Sequence, residues 1–112
     1  WQTQGSVPFS LNGSLQTYAA NESRYYDRNQ AQAWRFTQTS NGSRTVTVNP
    51  VGGQDLWVEL IGPGGIYGGS TSGTPASRSF TVTGLTPGAY AVRVRAGNTT
   101  ATTTTAYSLT VQ

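Results

Sequence analysis

The chain has 112 residues, 35% hydrophobic and 10% charged. A single domain of this length buries roughly two thirds of the surface its unfolded chain exposes, enough for a core without metal or disulfide. The net charge of +3 comes from seven arginines with no lysine, and because only Arg93 and Arg95 lie close together, nucleic acid is not an expected partner.

Taken in order, residues 1–10 read as a linker or an edge strand. The segment VPFSLNGSLQTYA (7–19) supplies one or two edge strands, with Pro8 at a position that need not donate to a ladder. Residues 19–30 are polar and aperiodic, a long loop carrying Tyr25 and Tyr26. AWRFTQT (33–39) alternates and is followed by Asn41-Gly42-Ser43, which predicts a hairpin into RTVTVNPV (44–51). Residues 55–61 form the next strand, closed by GPGG. IYGGSTSGTPAS (66–77) reads as a loop or short edge strand bearing Tyr67. SFTVTGL (79–85) passes through the Thr86-Pro87-Gly88 turn into AYAVRVRA (89–96). NTTATTTT (98–105) is rich in threonine, a hairpin connection or edge strand, and AYSLTV (106–111) ends the chain. No internal repeat appears, and no stretch is long and apolar enough to span a bilayer. The first ten residues lack the basic and apolar regions of a signal peptide. The expectation is one excised module, residues 1–112, whose parent carries any export signal.

The period of two assigns faces. Leu56, Val58 and Leu60 share one side of their strand, Tyr90, Val92 and Val94 one side of theirs, and Tyr107, Leu109 and Val111 one side of the last. With Trp34, Phe36, Val46, Val48, Phe80 and Val82 they make the interior of an all-β, two-sheet antiparallel sandwich. The opposite faces carry Trp57 and Glu59, Arg93 and Arg95, and Arg35.

The phrases AWRFTQTSNGSRTVTV, DLWVEL, GLTPGAYAVRV and AYSLTV, in that order, resemble the bacterial pre-peptidase C-terminal domain over roughly residue 11 to the end. The resemblance implies a β-sandwich of jelly-roll type attached to a secreted hydrolase, and either removed or used to dock on an insoluble polymer. Collagen-binding domains of collagenases are close relatives of that family. Two positions depart from its pattern: Gln54 and Asp55 stand where paired aspartates are common, and acidic calcium ligands near the N-terminus are sparse. Asp27, Asn29 and Asp55 are the best oxygens for a minor structural calcium. No cofactor is expected.

The chain has no histidine and no cysteine, which removes Ser-His, Cys-His and zinc-hydrolase chemistry. The acids Glu22, Asp27, Asp55 and Glu59 are not placed by the sequence as a glycosidase pair, and a non-enzymatic role is expected. The candidate ligand-binding residues are Trp57, Glu59, Arg93, Arg95, Tyr25, Tyr26 and Tyr67. Trp57 is either a flat platform for a sugar ring or a peptide side chain, or a side chain covered by a loop or the N-terminal segment. Arg93 and Arg95 either grip a ligand or pair across the strands with Glu59, and the tyrosines either touch ligand or pin loops. Two functions follow. One is a secreted, monomeric carbohydrate-binding module that holds a tethered catalytic domain on its polysaccharide. The other is an appendage of a secreted peptidase, serving export, folding or protein binding.

Overall fold

A computed structural model describes residues 2–17, 31–51, 55–70, 77–97 and 103–112, with backbone alone for 2–6 and 70. Among the described residues the strands are β1 (Gln2–Ser6), β2 (Phe9–Thr17), β3 (Ala31–Gln38), β4 (Gly42–Val51), β5 (Leu56–Gly62), β6 (Gly65–Ser70), β7 (Arg78–Leu85), β8 (Gly88–Ala96) and β9 (Thr103–Val111). Threonine, valine and tyrosine fill them because branched and aromatic side chains fit the pleat. They form a five-stranded sheet, β1-β3-β8-β5-β6, facing a four-stranded sheet, β2-β9-β4-β7.

The eight strands β2 to β9 pair as the two arms of one long hairpin. β2 lies antiparallel to β9, β3 to β8, β4 to β7 and β5 to β6. The further pairs β4–β9 and β5–β8 roll that hairpin into two sheets, which is the jelly-roll arrangement. β1 is an addition, an edge strand running parallel to β3, so the antiparallel expectation holds for every pair but this one. Gln2–Ser6 form strand β1, and Phe9 begins the edge strand β2.

One expectation is corrected. Asn41-Gly42-Ser43 does not close a hairpin, because β3 and β4 belong to different sheets. Gln38 holds this corner instead: its amide donates to Ser40 O at 2.8 Å, and its carbonyl accepts from Arg44 Nε at 2.9 Å. Two side chains thereby brace the chain where it leaves one sheet for the other. The hairpin that does form is β5–β6, turning at Pro63-Gly64 between the paired residues Gly62 and Gly65. Gly65 has φ of 118°, a conformation that a Cβ would strain. The segment 66–77 is thus an edge strand as far as Ser70, and 71–76 lie outside the described residues.

The core follows the period of two. Leu56, Val58, Leu60, Tyr90, Val92, Val94, Tyr107, Leu109, Val111, Phe36, Val46, Val48 and Val82 are buried, and Trp34 and Phe80 pack against them partly exposed. Phe36 stacks on Tyr90 with centroids 5.8 Å apart. Tyr90 OH donates to Thr86 O at 2.8 Å and so fixes the turn into β8. Trp34 Nε1 donates to the Tyr107 hydroxyl at 3.0 Å, and that hydroxyl donates to Gln32. Each buried aromatic donor thereby has its acceptor, as burial requires. The outer face of the four-stranded sheet is an uncharged lattice of hydroxyls, with Thr45 paired to Thr81 at 2.9 Å and Thr47 to Ser79 at 3.1 Å.

Candidate functional site

The outer face of the five-stranded sheet is ordered in rows by its register. Ala31, Arg95 and Trp57 stand in one row, Ala33, Arg93 and Glu59 in the next, and Arg35, Ala91 and Ile61 in a third. Alternation alone puts these side chains together, because their neighbours Leu56, Val58, Leu60, Val92 and Val94 are turned to the core.

Glu59 sits at the centre and is 4% exposed. Arg93 Nη2 donates to both of its oxygens at 3.1 Å, and Arg95 Nε to Oε1 at 2.8 Å. Burial works to raise the Glu59 carboxyl, but hydrogen bonds from Arg95 and Arg93 and the charges behind them outweigh it, and the group titrates below its ordinary value. The Arg95 guanidinium also lies over the Trp57 ring, 4.8 Å from its centroid, within cation–π range. Trp57 is partly buried, and its indole N–H donates to Asp55 Oδ2 at 2.9 Å.

Asp55 is fully buried and ties this face to the other sheet. Its Oδ1 accepts from Arg78 Nε at 3.2 Å, and the same Nε lies 3.0 Å from Leu56 O. Arg78 belongs to β7, so the ion pair crosses the sandwich. Gly97 closes the arrangement, because a Cβ there would collide with the Trp57 indole edge and the Asp55 carboxylate. Trp57, Glu59, Arg93 and Arg95 are therefore brought together as one interlocked unit.

The other candidates lie elsewhere. Tyr67 stands at 43% exposure on β6, its ring edge-on to Tyr90 with centroids 5.6 Å apart and its hydroxyl accepting from Gly64 N at 3.1 Å. It braces the β5–β6 turn. Tyr25, Tyr26, Asp27 and Asn29 lie outside the described residues. Among the described residues no three acidic side chains gather, and both oxygens of Asp55 already accept hydrogen bonds.

Sequence reasoning did not single out Arg78, Gln38 or the apolar depression at the end of the same face. Arg78 shares parity with Phe80 and Val82 on β7, and Gln38 with Trp34 and Phe36 on β3, so inward-facing parity was the available signal. The depression measures about 320 Å³ and is lined by Arg35, Ile61, Gly62, Pro63, Ala89, Tyr90 and Ala91. It depends on the β5–β6 turn meeting β8, which no local pattern announces.

No protein-family model and no curated protein matches the sequence. Solved structures do. The pre-peptidase C-terminal domain of collagenase from Bacillus anthracis superposes with a TM-score of 0.66 at 16% identity, covering 99% of this chain and 93% of that one. PliG of Aeromonas hydrophila, a periplasmic inhibitor of g-type lysozyme, superposes with a TM-score of 0.54 at 16% identity over 99% and 95% of the two chains. PliG of Salmonella Typhimurium gives 0.54 at 14% identity over 100% and 98%. The chain thus has the fold of the pre-peptidase C-terminal domain that its four phrases resemble.

Proposed function

We propose that this chain is a non-catalytic accessory domain of an exported protein, tethered to a catalytic partner domain, and that it binds other polypeptides through the outer face of its five-stranded sheet. The observation that carries this reading is the internal saturation of that face. Glu59 accepts from two arginines, and the Trp57 indole N–H is taken by Asp55. These groups are committed to holding a rigid surface rather than to moving protons. What the surface offers outward is partly exposed arginines, a partly covered indole and a shallow, mainly apolar depression. Arginine and tryptophan are enriched in the energetic centres of protein interfaces. The neighbours in fold support the class of job: one is a domain of a collagenase and two are periplasmic inhibitors of another protein.

Polysaccharide docking, the first of the two functions read from the sequence, draws less support. A sugar platform needs a free ring face and free acceptors beside it, whereas Arg95 lies over the Trp57 ring and both oxygens of Glu59 are engaged. Native gels containing single soluble proteins or single soluble polysaccharides separate the two functions. We expect retardation in at least one protein gel and none in the polysaccharide gels. Retardation by a polysaccharide that Trp57→Ala abolishes, with thermal stability unchanged, would overturn the reading in favour of sugar binding.

A further inference from the structure

The depression and the arginine pair occupy adjoining rows of one sheet face, and their spacing specifies a ligand. Ala91 forms the floor of the depression, with Ile61 beside it on β5 and Arg35 on β3. Along β8 from Ala91, alternate residues on this face are Arg93 and Arg95. Each such step of two residues is about 6.6–6.8 Å. An extended peptide laid along β8 has the same repeat, so a side chain seated in the depression places its second and fourth neighbours over Arg93 and Arg95.

Charge defines those neighbours. The segment 19–30 contains two arginines and two acids, so the excess of three positive charges arises in the rest of the chain, where five arginines face two acids. Two of those five, Arg93 and Arg95, stand side by side on this face and share Glu59. Arg93 Nε is buried without a hydrogen-bond partner. Both arginine side chains remain about a third exposed, at 35% and 36%, which leaves them within reach of a second carboxylate. Charge-assisted contacts of this kind are among the stronger hydrogen bonds.

The depression itself is apolar except at the Arg35 rim, and about 320 Å³ is at the small end of the roughly 300–1,000 Å³ of ligand pockets. It suits one aliphatic side chain. We infer that the polypeptide partner presents an extended acidic segment in which an aliphatic residue is followed at alternate positions by aspartate or glutamate. This rests on the protein-binding reading above and names the chemistry it recognises.

The test uses three labelled peptides and fluorescence anisotropy at low salt. One contains the run Leu-Ser-Glu-Ser-Glu, the second has glutamine for both glutamates, and the third has glycine for leucine. The acidic peptide should bind roughly tenfold more tightly than its glutamine form, a difference of about 1.4 kcal/mol. Its binding should weaken as salt rises toward about 0.5 M, where screening shortens the reach of charge. The glycine form should also bind more weakly. Because Arg93 and Arg95 support Glu59, the decisive variant is Ala89→Glu, at an exposed position in the depression wall. It should lose the acidic peptide without losing stability, while Thr81→Ala on the opposite sheet should not. Equal binding of the glutamate and glutamine peptides, or an Ala89→Glu protein that binds as before, overturns this inference. If that happens while a protein in the gel panel still retards the domain, the broader reading stands; retardation by none of the proteins overturns both.

Discussion

Glu59 shows how one buried acid can organise a surface. Alone at 4% exposure a carboxylate would be costly to ionise, and two cross-strand arginines reverse that cost. Its stabilising contribution is present above the ordinary carboxyl value of 4.5 and is lost as pH falls through the lower folded value. Glu59→Gln should therefore cost about 1–2 kcal/mol at neutral pH, less than a fully buried pair because both arginines are about a third exposed. It should also flatten the acid side of the stability profile. Urea titrations at a series of pH values check both effects, and an unchanged acid limb would contradict the assignment. This residue was legible in the sequence. Alternation placed Glu59, Arg93 and Arg95 outward, and their pairing was one of the two alternatives that reading left open. What the sequence did not reveal is how Trp57 is held in that unit, because the Asp55 carboxylate that takes its indole N–H and the close approach of Gly97 depend on the completed topology.

At the level of elements, the strands themselves were readable and their partners were not. Each rib betrays its inward face by the period of two, yet alternation is the same whether the next strand pairs with it or crosses to the other sheet. Asn41-Gly42-Ser43 looks like a hairpin turn for that reason, and the Gln38–Arg44 contact that makes it a corner is invisible locally. The ion pair of Asp55 with Arg78 is another link between sheets, joining the start of β5 to β7. Both side chains are essentially buried, at 0% and 5%. Asp55→Asn should destabilise the domain by about 3–5 kcal/mol by removing the carboxylate that faces the buried arginine charge. Asp55→Asn with Arg78→Met should recover more than half of that loss, because an apolar chain of similar length removes the orphaned charge while the new amide still accepts from Trp57. Chemical denaturation of the two variants decides it. A double variant as unstable as the single one would show that the pair does not act as a unit.

Across the whole molecule, the long hairpin rolled into two sheets puts the arginine-bearing face on β3, β8 and β5, strands distant in sequence and fixed only by the completed topology. That explains why the fold class could be read from the chain while the depression beside Ala91 could not. It also gives the domain a division of labour: one outer face is an uncharged hydroxyl lattice, and the other gathers arginines around a locked acid and an apolar hollow. Contact with partner polypeptides is proposed to occur on the arginine-bearing face. Amide shift mapping of the isotope-labelled domain, titrated with the protein that retards it most strongly in native gels, tests this most directly. Perturbations should concentrate at Trp57, Ile61, Ala91, Arg93 and Arg95, with Thr47, Thr81 and Ser108 unmoved. Perturbations concentrated on the hydroxyl lattice of β4, β7 and β9 would contradict it.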